Sequence, residues 1–140
     1  MNKLLVACCS LILVYALLVS PVSVNGQVRV PGESQAAQFE TRCGWFVNPT
    51  PANIWLFDRD AEWTIGVQGG YQVESDWNPP AFKPRQWVRT NGNYGYGCAC
   101  LQLRVNKETH EVLEIKSSRA RPLAACHKDQ SLKKWKRMLN

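Results

Sequence analysis

The sequence predicts a mainly β domain: a small disulfide-stapled twisted sheet or partly open barrel with a short C-terminal helix. Alternating polarity carries the β prediction and is clearest at residues 98–105. There Cys98, Cys100, Gln102 and Arg104 fall on one face and Ala99, Leu101, Leu103 and Val105 on the other, because strand side chains repeat every two residues. The staples are expected from Cys43, Cys98, Cys100 and Cys126. Three prolines between Asp76 and Pro84 mark a stretch that cannot lie inside a sheet.

At the N-terminus, Lys3 precedes an apolar run over residues 4–19, followed by Ser20-Pro21 and small residues up to Gly26. This is the order of a secretory signal peptide, with cleavage expected near Gly26. The run is shorter than the about 20 residues of a membrane-spanning helix, so an uncleaved anchor is the lesser alternative. Cys8 has too little apolar sequence before it to serve as a lipoprotein acceptor, and it leaves with Cys9 in the peptide. Residues 27–40 are polar and aperiodic and read as a flexible leader. One domain is then expected over 41–130, with a basic amphipathic helix over 131–140.

Within the domain, residues 54–57 and 62–68 flank Asp58-Arg59-Asp60-Ala61 and read as a strand pair around a four-residue turn. Gly69-Gly70 ends the second strand. Residues 86–90 form a short strand, and Asn106 to Thr109 turn the chain of 98–105 into a further strand over 110–116.

Cys98 and Cys100 share a strand face, so bridging them to each other would distort the strand. Each is expected to pair elsewhere. Cys43 takes one and Cys126 the other, and the spacing leaves both arrangements open.

The chain carries a formal net charge of +6, and its excess is concentrated at the end. From Lys116 onward eight basic residues stand against Asp129 alone. Such a terminus attracts anionic surfaces, or keeps a tail solvated. Ser131 is expected to cap the final helix, with Leu132, Trp135 and Leu139 on one face and Lys133, Lys134, Lys136 and Arg137 around the rest. So short a helix is not stable alone in water. It must dock, bind or fray, and docking through Trp135 is the favoured reading.

Chemistry is harder to find. The four cysteines lack the CxxC spacing common in zinc sites, so no metal is expected, and an oxidising compartment favours disulfides. A redox role for Cys98 and Cys100 would need an accessible, acidified thiol. There is no G-x-S-x-G or H-E-x-x-H motif, and only His110 and His127 are present. Asp58 and Asp60 fit a hydrogen-bonded turn better than an acid/base pair. Gly92, Gly95 and Gly97 lead into a strand, not a helix, and so do not cradle phosphate. No catalytic residue and no cofactor is called for.

Six tryptophans fill a small domain, and core packing is the expected use of most. Trp77, beside Asn78-Pro79-Pro80, is the one expected to be exposed. The residues expected to bind, if any do, are Trp77, Tyr94, Tyr96, Lys133, Lys134, Trp135, Lys136 and Arg137.

Several motifs together resemble a known family. They are Arg42-Cys43-Gly44-Trp45, Asn48-Pro49-Thr50-Pro51, Asp58-Arg59-Asp60 with Trp63, Gln68-Gly69-Gly70, Trp87-Val88, Thr90 through Cys100, Arg121-Pro122-Leu123 and Cys126. The pattern is similar to a family of small exported bacterial proteins catalogued as domain of unknown function 4087, over about residues 41–130. The resemblance implies a bacterial source and a periplasmic or secreted location. It implies no activity, and it leaves the helix after Ser131 outside.

The expected function is a non-enzymatic envelope or extracellular binding module. An enzyme with an unsigned carboxylate or thiol site is the first rival, and a structural envelope component held to anionic surfaces by the basic C-terminus is the second. Envelope glycan, anionic lipid or an envelope protein are the expected partners. Nucleic acid ranks behind them, because export removes the protein from it.

Overall fold

The computed structural model describes residues 38–139. The expected signal peptide, and the leader up to residue 37, lie outside these residues. Six strands follow in order: β1 (Glu40–Thr50), β2 (Asn53–Phe57), β3 (Glu62–Gly66), β4 (Trp87–Asn91), β5 (Tyr94–Asn106) and β6 (Glu111–Arg121). A helix α1 (Leu123–Lys128) and a 3-10 helix (Gln130–Met138) end the chain.

The strands form one sheet in the order β1-β2-β3-β6-β5-β4, and β1 also pairs with β5. Five strands therefore close on themselves, with β4 added beside the first residues of β5. Every pairing is antiparallel except β3 with β6, which meet at Thr64 and Glu111. That thin seam makes the barrel partly open, with the connectivity of the five-stranded Greek-key barrels of the OB type. The expected mainly β architecture with a short C-terminal helix is the one observed.

Strand β5 holds the ring together, because it pairs with β1, β4 and β6. Its alternation is the one read from the sequence. Ala99, Leu101, Leu103 and Val105 point inward with Phe46, Leu56, Trp63, Ile65, Val112 and Ile115 to make the main core. Cys98 points outward into a second cluster with Trp45, Val47, Phe57, Cys126, Leu132 and Leu139, which the C-terminal helices cover.

Strand β1 is a strand the sequence did not predict. Trp45, Phe46 and Val47 are all buried, since one side of β1 faces the barrel interior and the other faces the C-terminal layer. Burial on both faces erases the alternation that marks a half-exposed strand. Pro49 obscured it further, and it sits where the β1–β2 register slips between Val47 and Thr50. Strand β6 likewise runs on to Arg121, beyond the expected end at Lys116.

The turns are built as their residues dictate. Asp58 Oδ1 accepts from the backbone N–H of Asp60 at 2.7 Å and of Ala61 at 2.8 Å, closing the β2–β3 turn. Gly92 takes a positive φ of 59° in the β4–β5 hairpin, a region that costs a residue with a side chain.

Two expectations at the C-terminus need correction. The final helix is 3-10, and its cap is Asp129 in place of Ser131: the Asp129 side chain accepts from the Ser131 N–H at 2.9 Å and from its hydroxyl at 2.6 Å. The carboxylate is the stronger acceptor, so Ser131 becomes the donor. Helix α1 was also missed, because six residues around Cys126 give too little periodic pattern. Strand β1 begins at Glu40, and the last helix packs on the barrel, where Leu132 and Leu139 join the second cluster.

Candidate functional site

The disulfides pair Cys43 with Cys100 and Cys98 with Cys126, which resolves the alternatives left open by the sequence. Cys43 and Cys100 are directly opposite in the β1–β5 register, so this bridge ties two neighbouring strands. Cys98–Cys126 ties α1 to the outside of β5. Disulfides of this kind belong to folds matured outside a reducing cytoplasm. Among the described residues, no helix is long and apolar enough to cross a membrane.

The second staple positions the C-terminal layer. The Trp135 ring stacks on Phe57 with centroids 5.1 Å apart, and its indole N–H donates to the Asp58 carbonyl at 2.6 Å. Leu132 and Leu139 are buried beside it. Trp45 lies beneath, meeting Tyr96 edge-on at 5.6 Å and His127 at 4.9 Å.

Two adjoining clefts border this layer, and they share Cys126, Asp129 and Leu132. The larger, about 260 Å³, is lined by all four cysteines of the two disulfides, of which Cys43 alone is exposed, and is flanked by Arg119 and Arg121. These arginines stand opposite Cys100 and Cys98 in the β5–β6 register, which puts them on the same outer face as the sulfurs. The smaller cleft, about 100 Å³, carries Lys133 and Lys136 on its rim. Asp129 reaches both, but its carboxylate is held by Ser131, and those hydrogen bonds draw its pKa below the ordinary value. The salt bridges of the described residues have Arg42 and Arg104 as their cations, so Arg119, Arg121, Lys133 and Lys136 make none, and the ionised Asp129 is the one carboxylate lining the two clefts they border.

The sequence-predicted residues separate into three groups. Lys133 and Lys136 are exposed on this face, and Arg137 is exposed next to Lys136 in the chain. Lys134 is exposed but tethered, donating to the Arg59 carbonyl at 2.7 Å with its ammonium 4.8 Å from the Trp135 ring. Trp135, Tyr96 and Trp77 are half-buried and used in packing, as Trp77 meets Phe46 edge-on at 6.3 Å. Trp77 is therefore not the exposed tryptophan the sequence led us to expect: the 67–86 loop folds it back onto the core. Tyr94 is half-buried at the start of β5. Arg119 and Arg121 were missed as site residues. Their signal was their place one strand across from the cysteines, which only the pairing reveals.

The remaining charged cluster is structural. Buried Arg42 donates to Asp58 at 2.6 Å, Asp60 at 3.0 Å and Glu40 at 2.9 Å, and its guanidinium lies 4.1 Å from the Trp63 ring. Burial acts to lower its pKa, but the hydrogen bonds to Asp58 and Glu40 outweigh burial and raise it. Among the described residues no group of three or more His, Cys, Asp or Glu converges as a metal site.

The fold and its clefts define a small disulfide-stapled β-barrel domain with a cationic C-terminal face. A family model described as Protein of unknown function (DUF4087) matches residues 37–133, and the chain belongs to that family. The match reaches Lys133, so it takes in the first residues of the 3-10 helix as well as the barrel. No curated protein and no solved structure matches the chain.

Proposed function

We propose that the protein is an exported, non-enzymatic binding module of the bacterial envelope that lays its C-terminal cationic face on an anionic phospholipid surface. The observation that carries this reading is the grouping of Arg119, Arg121, Lys133 and Lys136 around two adjoining clefts, without carboxylate partners among the described ion pairs. Each cation near an anionic surface contributes about 1 kcal/mol. Met138, 57 % exposed beside Lys136 and Arg137, supplies a small apolar contact. Trp135 is occupied by Phe57 and Asp58, so attachment is electrostatic and shallow.

The signal-peptide pattern read in the first 26 residues of the sequence and the two disulfides support export. The enzyme reading is weaker, because the four domain cysteines are oxidised and Asp58 and Asp60 are engaged by Arg42.

Sedimentation with vesicles tests the proposal. Residues 27–140 are expected to pellet with phosphatidylglycerol vesicles and not with phosphatidylcholine, and to be released as salt rises. Replacing Lys133 and Lys136 by Glu is expected to weaken pelleting by at least tenfold. Equal pelleting with both lipids, or no effect of the double substitution, would refute it.

A further inference from the structure

A second cationic cleft, of about 570 Å³, is built from the end of the 67–86 loop and the start of β4, and it shares no lining residue with the C-terminal clefts. Phe82 and Trp87 form its floor, with ring centroids 4.8 Å apart and planes tilted by 37°. Lys83, Arg85 and Arg89 stand exposed on its rim. From Trp77 to Lys107 the sequence contains no Asp or Glu, and the ion pairs of the described residues do not involve these three cations.

The floor is fixed from beneath. Both rings pack on Phe46, at 6.0 and 6.4 Å, and the Trp87 indole N–H donates to the Asn93 carbonyl at 3.1 Å. Phe82 seats over Gly97 of β5, where a Cβ would lie 2.4 Å from its ring. The glycine-tyrosine run that opens β5 therefore makes room for this floor.

Arg85 is held at a positive φ of 70°, a conformation that costs energy for any residue with a side chain. A tight turn imposes it: the Gln86 N–H donates to the Lys83 carbonyl at 3.0 Å, and the Gln86 side chain accepts from the Lys83 N–H at 2.9 Å. Glycine would take this position without cost, yet the chain spends the conformation on an exposed arginine. Ala52 and His110 share the conformation in the β1–β2 and β5–β6 turns, but Arg85 alone of the three lines a cleft, and strained residues cluster at ligand clamps.

The geometry points to a binding site for an acidic saccharide, with Phe82 and Trp87 taking the apolar face of a sugar ring and Lys83, Arg85 and Arg89 its carboxylate, phosphate or sulfate groups. Aromatic faces supply the contact for the sugar C–H groups, and arginine forks the paired hydrogen bonds to the acid oxygens. The two rings are tilted against one another, so they form a ledge that suits a puckered sugar better than the parallel-walled slot that grips a flat base. This is a site beyond the lipid-facing surface proposed above and does not depend on it.

Calorimetric titration of residues 27–140 at 150 mM salt tests it with four hexamers: hexagalacturonate, a heparin hexasaccharide, neutral cellohexaose and oligothymidylate. At least one of the two acidic hexasaccharides is expected to bind at least tenfold more tightly than cellohexaose and oligothymidylate. Arg85→Gly is expected to weaken that binding at least tenfold while leaving the melting temperature unchanged or higher, because glycine relieves the backbone. Arg89→Gln is expected to weaken it as well, and Lys133→Gln with Lys136→Gln to leave it unaltered. The proposal is overturned by failure of both acidic sugars to bind, by equal binding of cellohexaose or oligothymidylate, or by full affinity in Arg85→Gly.

Discussion

Trp135 reaches across from the last helix to lie on Phe57, ring centroids 5.1 Å apart, with its indole N–H on the carbonyl of the next residue, Asp58. A helix too short to stand alone is thereby fixed to the end of β2, and the cations around it become a surface instead of a loose tail. Removing the ring takes away half-buried apolar area and one hydrogen bond, together about 2 kcal/mol. Trp135→Ala is expected to lower the urea midpoint accordingly, and Trp135→Phe, which keeps the stack, to cost about 1 kcal/mol. A midpoint unchanged in both would show that the helix is not docked in solution.

The two disulfides differ in access. Cys43 is exposed, whereas Cys98 and Cys126 are 2 % and 4 % exposed. Exchange requires a thiolate to reach a sulfur, so the Cys43–Cys100 bridge is expected to open first under graded reductant. The chain-entropy model assigns about 4 kcal/mol to the bridge of sequence separation 57 and about 3.5 kcal/mol to that of 28. Alkylation followed by peptide mass mapping reads the order directly. Simultaneous opening of both bridges would contradict it.

What could be read from the sequence follows from where each strand lies. Strand β5 was legible because the barrel interior and the outer layer treat its two faces differently, leaving Leu101 and Leu103 against Gln102 and Arg104. Strand β1 was not, since Trp45, Phe46 and Val47 are buried from both sides. The end of β6 was hidden for another reason: Ser117, Ser118 and Arg119 have little strand preference, and pairing with Gln102, Leu101 and Cys100 imposes the conformation. The candidate clefts inherit this gap. Lys133 and Lys136 stood out as a local charge run, whereas Arg119 and Arg121 join them through the register. The second cleft is the contiguous stretch 82–89, and what the sequence hid there is the packing of Phe82 and Trp87 on Phe46, which turns that stretch into a floor and a rim.

Glu62 gives a pH signature. Burial raises its pKa above the ordinary 4.5, with the charge of His110 acting in the opposite sense. The folded state thus holds this proton more tightly than the unfolded chain does. Ionised Glu62 penalises the fold at pH above the raised value, and the penalty fades as pH falls through that value and is gone below 4.5. Glu62→Gln is therefore expected to melt higher than the parent at pH 7, with the gap closing by pH 4. A gap that stays constant across this range would rule out the carboxylate as its source.

Arg42 and Asp58 form the buried ion pair of the domain, at 2.6 Å, with side chains 8 % and 4 % exposed. Asp58 has a second task, since its other oxygen holds the β2–β3 turn through Asp60 and Ala61. Removing one partner of such a pair strands the other charge and costs about 3 to 5 kcal/mol. Asp58→Ala is expected at the upper end of that range, because the turn bonds go as well. Arg42→Met leaves the turn intact and is expected at the lower end. In the double variant no charge is left stranded, so its cost should fall short of the sum of the two single losses by about 2 kcal/mol. Denaturant unfolding of the four proteins closes this cycle, and strict additivity would mean that the pair is not coupled and that Asp58 acts through the turn alone.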